Sequence, residues 1–184
     1  MGKSSWILVT LLVISAPVFA QHGHSPYAGQ EKREIKALSH DEIQTLRSGQ
    51  GMGLAKAAEL NHYPGPRHVL DLGAQLQLSA AQRAETQKIY DHMHQEAVRL
   101  GALIVDKEQE LDQLFAAQAV QSNTLQSLTQ QSAQLQGELR FVHLQAHVET
   151  KRLLSPEQVE AYDALRGYAA SPGAAPHTGH HRHH

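Results

Sequence analysis

The stretch 125–148 reads LQSLTQQSAQLQGELRFVHLQAHV. Leu125, Leu128, Ser132, Leu135, Leu139, Val142 and Ala146 recur at alternating spacings of three and four, the seam of a helix packed along its length. Gln126, Gln130, Gln131, Gln134 and Gln136 fall off the seam, so the glutamines form a solvated face. Phe141, Leu144 and Val148 lie opposite it. This segment is therefore apolar on two faces and needs a second partner surface, either the first helix folding back or a second copy of the chain.

Working back toward the amino terminus, Leu78-Ser79-Ala80-Ala81-Gln82 reads as a capped helix start. Ile89, Met93, Leu100, Ile104, Leu111 and Phe115 then mark a second seam that runs to about Ala119, a rod of roughly 60 Å at 1.5 Å per residue. A polar turn at Gln121 to Asn123 joins the rods, which must pack antiparallel to bury their seams. Ahead of them, Ser39 with Glu42 forms a capping box, and Gly49, Gly51 and Gly53 predict a kinked or broken first helix. Tyr63-Pro64-Gly65-Pro66 is a turn, followed by a short helical piece over Val69 to Leu76. On the far side, Leu154-Ser155-Pro156-Glu157-Gln158 opens a short last helix ending near Gly167. The expected fold is all-α: a long antiparallel helical hairpin with a kinked N-terminal helix and a short C-terminal helix, forming a homodimer.

The ends have a different composition. Lys3, the apolar Trp6 to Ile14 and the small Ala20 have the pattern of a cleavable export signal over residues 1–20, which predicts a periplasmic protein. Residues 21–38 read as a flexible histidine-containing arm, 39–168 as the helical hairpin domain, and 169–184 as a disordered histidine-rich tail. Fourteen histidines, no cysteine and three methionines in 184 residues leave imidazole and carboxylate as the available metal ligands. The formal net charge of −2 gives no footprint for nucleic acid. No Ser-His-Asp or Cys-His arrangement can be argued, and the Gly49-to-Gly53 segment follows no strand, so an enzyme is not expected.

The boxes at Leu78 to Gln82 and Leu154 to Gln158 resemble the Leu-Thr-x-x-Gln motif of the Spy/CpxP-like periplasmic proteins, with Ser in place of Thr. That family includes stress chaperones, the zinc-resistance-associated protein and periplasmic heavy-metal sensors. The resemblance spans about Ser39 to Tyr168. It implies a helical hairpin, often dimerised into a cradle, that acts by binding.

His143 and His147, four residues apart, project from one helix face and can close on one metal ion. With the hairpin turn centred near Gln121, Glu96 falls opposite them, and His92 lies one turn away. The set His143, His147, Glu96 and His92 would suit Zn(II), Ni(II), Co(II) or Cu(II). The alternative is that Glu96 pairs with Arg99 or Arg140 and the histidines are helix-flank residues. Met93 could offer a thioether but sits on the seam. The resemblance implies a His-x-x-x-Met ligand pair before the last motif, where His147 replaces Met. His22, His24 and the tail histidines resemble the metal-capturing segments of the zinc-resistance-associated protein. The expected function is periplasmic metal binding in heavy-metal sensing or tolerance. The alternative is an ATP-independent chaperone or envelope-stress adaptor, with unfolded envelope proteins or a membrane sensor as partner.

Overall fold

Three serines decide where helices begin. Ser39, Ser79 and Ser155 each accept a hydrogen bond from the backbone N–H three residues on, and Glu42, Gln82 and Gln158 bond back to the serine N–H. The computed structural model describes residues 25–168. Within them the elements are α1 His40–Arg47, α2 Lys56–Glu59, α3 Pro66–Asp71, α4 Ala80–Ala116, α5 Ser122–Leu153 and α6 Pro156–Arg166, with a 3₁₀ turn at Gln30–Lys32. The fold is all-α, and α4 and α5 form its antiparallel hairpin. The expected export signal, His22, His24 and the tail from residue 169 lie outside the described residues.

Two apolar clusters hold the chain together. In the first, Ile35, Ile43 and Leu46 pack onto Ala97, Leu100, Ile104 and Val105 of α4 and Leu139 of α5. Burying side chains of this size contributes roughly 1.5–3 kcal/mol each. In the second, Val69 and Leu76 pack against Tyr162 of α6. The stretch 48–68 runs from one cluster to the other and lies against α5 on the way.

The helices α1 and α4 approach closely because residue 101 is glycine. A β-carbon there would overlap the carbonyl of Leu46 and stand 2.7 Å from its carbon atom. At Gly49, where φ is +63°, the left-handed turn that ends α1 brings the backbone against Val98 and the carbonyl of His94. The first helix is thus broken at the glycines, and its continuation α2 is a separate four-residue turn packed on α5.

The glutamines of the two related boxes meet each other. Gln82 Nε2 donates to the carbonyl of Leu153 and to Gln158 Oε1, both at 2.8 Å. Gln158 Nε2 donates to the carbonyl of Leu76 at 3.1 Å and to Gln82 Oε1 at 3.2 Å. Each side-chain oxygen also closes its own box, so every polar atom of both amides is used. The brace fastens the start of α6 to the start of α4.

Several sequence expectations are revised. The part of the expected mobile arm that is described, 25–38, is packed: Ile35 is 2% exposed and Lys36 pairs with Asp112 at 2.9 Å. One isoleucine at the right place anchors a segment that has no apolar period. The short piece expected over Val69 to Leu76 instead spans Pro66–Asp71, because Pro66 presets the first helical φ. α4 stops at Ala116, and the interhelical turn precedes Ser122. Phe115, expected on the seam, is 55% exposed, since the hairpin packing has thinned out there. On α5 the buried line runs Ser132, Leu139, His143, Ala146, Thr150, so His143 takes the place expected of Val142. The expected second partner surface for α5 is supplied in part by α2 and α3, whereas α1 lies on α4 and Phe141 stays exposed.

Candidate metal centre

His143 and His147 share one face of α5, one turn apart, and the stretch 48–68 covers them. His143 is 4% exposed, and a methyl on Gly51 would touch its Cε1 at 3.8 Å and Nδ1 at 3.9 Å. Its Nε2 is buried without a hydrogen-bond partner among the described residues. An orphaned nitrogen of this kind costs about 1–3 kcal/mol. His147 Nδ1 donates to the carbonyl of Tyr63 at 2.7 Å, which leaves the lone pair on Nε2. Pro64 and Gly65 of the Tyr-Pro-Gly-Pro turn direct that carbonyl inward, and a β-carbon on Gly65 would crowd His147 Nε2 at 3.0 Å. The turn therefore both orients the ring and leaves room for it.

Burial holds the His143 imidazole below its ordinary pKa, with His147 and His94 adding to the effect. Burial also lowers His68, reinforced by Arg166. His68 lines the same cleft as the pair. Both rings are thereby favoured in the neutral form that a metal ion requires. The unfolded chain takes up protons on these rings as pH falls through the ordinary histidine value near 6.5, before the folded chain does. Their contribution to stability is complete above that value and is lost as pH drops toward the depressed folded pKa. Metal-free protein should show a urea-unfolding free energy that is level from pH 8 to 7 and falls below about 6.5, by up to about 1.4 kcal/mol per pH unit for the His143 proton, with a smaller, solvent-screened contribution from the part-exposed His68. His143→Gln should flatten the slope; an equal slope in that variant would remove His143 as its source.

The four residues expected to form the site are not brought together. Glu96 Oε2 accepts from Arg99 Nη2 at 2.9 Å and Nε at 3.0 Å, the pairing that was the alternative reading. That bond, assisted by the Arg99 charge, holds its carboxyl below the usual range. His92 is exposed and lines a separate groove with Phe141 and Glu149. Hairpin register alone predicts that the histidine face meets α4, whereas the buried face of α5 at this level is shared with the 48–68 stretch.

Sequence reasoning missed what that stretch contributes. Glu59, on α2, has a part-buried carboxylate. Its Oε2 stands 3.6 Å from His147 Nδ1, while its Oε1 accepts from Tyr162 at 2.6 Å, Tyr168 at 3.2 Å and Arg166 Nε at 3.4 Å. Burial and this carboxylate push the Tyr162 hydroxyl pKa well up, so it stays a donor. Arg67, His68, Met93 and His94 also line the cleft, and His94 Nε2 donates to the carbonyl of Ser48 at 3.1 Å. The glycine triplet was the available signal, since it marks a close approach of backbone to another element. The face it approaches could not be read from it.

Two imidazoles, one with an orphaned nitrogen and one oriented by a carbonyl with a carboxylate nearby, are donors of the kind a transition-metal ion takes. Among the described residues no three His, Asp or Glu side chains are grouped closely enough to hold one ion by themselves. A family model described as heavy-metal resistance matches residues 50–161, from the glycine segment into α6. No curated protein and no solved structure matches the chain.

Proposed function

From the premise that the chain belongs to the heavy-metal resistance family, of the Spy/CpxP-like type, we propose that it binds a divalent transition metal in the periplasm as part of metal sensing or tolerance. The observation that carries this reading is the buried, partnerless Nε2 of His143 beside the oriented ring of His147. His143 and His147 would hold Zn(II), Ni(II), Co(II) or Cu(II). A bound ion would supply an electrophilic centre on the covered face of α5. Tyr63 fixes the His147 ring, the Gly51 and Gly65 backbones pack against the two rings, and Glu59 places negative charge behind the pair. The export-signal pattern of residues 1–20 supports the compartment, and the histidine-rich ends would raise the local metal concentration.

Calorimetric titration of Ni(II) into the chain beginning at Gln21 tests this. His143→Ala and His147→Ala should each remove one metal equivalent, or weaken it at least tenfold, while sites contributed by the ends persist. Unchanged stoichiometry and affinity in both variants, with helical circular dichroism retained, would refute the assignment. A second reading, a chaperone or stress adaptor, is favoured by Phe141 and Phe115, which are 63% and 55% exposed. That activity needs no imidazole, so the same variants assayed in chelator would retain it.

A further inference from the structure

The two arms of the hairpin run on past the core. Buried residues of α4 end at Val105 and those of α5 begin at Ser132, so none of residues 106–131 is buried. About three helical turns on each arm, about 15 Å at 1.5 Å per residue, thus continue with no core of their own. They nevertheless carry an apolar set: Leu111, Leu114, Leu125 and Leu128 are part-buried, and Phe115 and Val120 are exposed. Helices of roughly ten residues are marginal in water without a packed face, so this end of the hairpin calls for a cover.

Its charge says what kind of cover. Residues 113–137 contain no charged side chain, the longest such run among the described residues, in a chain with 16 Lys and Arg and 18 Asp and Glu. The charges that border the run are engaged within the chain: Asp112 with Lys36, Glu110 with Lys107, and Glu138 with Gln134. A two-fold contact between identical chains sets residues near the axis against their own copies, where any charge would meet its like. The glutamines, serines and threonines of the run each carry both a donor and an acceptor, so they can bond to their own kind. An anionic lipid surface calls instead for Lys and Arg around the apolar residues, and a charged peptide for opposite charge. We propose that the hairpin tip is a self-association surface: the tips of two chains lie side by side as a four-helix bundle and bury Phe115 and Val120 between them. This surface is separate from the groove beside Phe141, which is lined by Ile89, Met93 and Val142 nearer the base of the hairpin. A tip of this length covers no more than about 1,200 Å², the lower end of specific interfaces, so the dimer exchanges with monomer at micromolar concentrations.

Sedimentation equilibrium of the chain beginning at Gln21 over the micromolar range tests the proposal, with chelator present so that metal does not bridge chains. The expected result is a reversible monomer–dimer equilibrium whose dissociation constant changes less than twofold between low and high salt, because no charge takes part. Amide exchange within 106–131 should slow as the concentration rises, while exchange around Phe141 does not change. Phe115→Glu and Phe115→Lys should each weaken the dimer at least tenfold with helical circular dichroism retained, since this side chain is outside both apolar clusters. Phe141→Glu should leave the dimer within twofold of the parent. A dimer that survives both Phe115 variants, or one that is lost in Phe141→Glu instead, would overturn the proposal. A chain that stays monomeric throughout would also overturn it, including one that binds phosphatidylglycerol vesicles through Phe115.

Discussion

Gly101→Ala is expected to destabilise the protein by about 2–3 kcal/mol, although alanine is favoured over glycine in a helix interior by about 1 kcal/mol. The added methyl overlaps the carbonyl of Leu46, which is backbone and cannot rotate away. Either α1 lifts from α4, exposing Ile43 and Leu46, or α4 bends. Gly137→Ala is the matched control. Residue 137 lies within α5, and a β-carbon there meets nothing within 4 Å. That variant should gain about 1 kcal/mol from propensity alone. Urea unfolding of the two proteins should therefore show shifts of opposite sign. A stabilised Gly101→Ala protein would mean that α1 does not pack on α4 as described.

Gln82→Glu should cost about 3 kcal/mol even though it preserves the helix cap. A capping box accepts either residue, because only a side-chain oxygen has to reach back to the serine N–H. What glutamate lacks is the amide donor. At residue 82 that donor serves the Leu153 carbonyl and Gln158 Oε1 together, so the substitution sets a carboxylate against two acceptors. The box at Ser39 provides the contrast. Glu42 fills the same position there, and its recorded bonds are to Ser39 only. Glu42→Gln should then change stability by less than about 0.5 kcal/mol. Similar losses at both positions would show that the brace contributes nothing beyond capping.

Features whose determinants lie within a few residues were legible in the sequence. Ser39, Ser79 and Ser155 were readable as caps because a box needs only four consecutive positions. The hairpin followed from two apolar periods and a turn. Ile35 was missed because its burial depends on α4, about seventy residues away. The candidate site was half legible for the same reason. His143 and His147 were visible as a pair on one face, but their surroundings come from Gly51, Glu59, Tyr63 and His68, which approach through a stretch with little regular structure. Glu96 was assigned by hairpin register alone. Its neighbour Arg99, three residues on, satisfies it locally. The amide brace was also out of reach, since a Gln in each box states a cap and says nothing of its partner.

The brace also orders events in time. Residues 82 and 158 are separated by 76 positions, and closing such a loop from the open chain costs roughly 4 kcal/mol in entropy. Amide hydrogen bonds at about 1 kcal/mol each cannot drive that closure. Once α4 and α5 have zipped together, only the short link from Leu153 to Gln158 remains to be ordered. The two boxes therefore join last, and a chain emerging amino terminus first cannot fasten α4 through the brace until Gln158 has emerged. Mutations in the brace should accordingly accelerate unfolding and leave the folding rate almost unchanged.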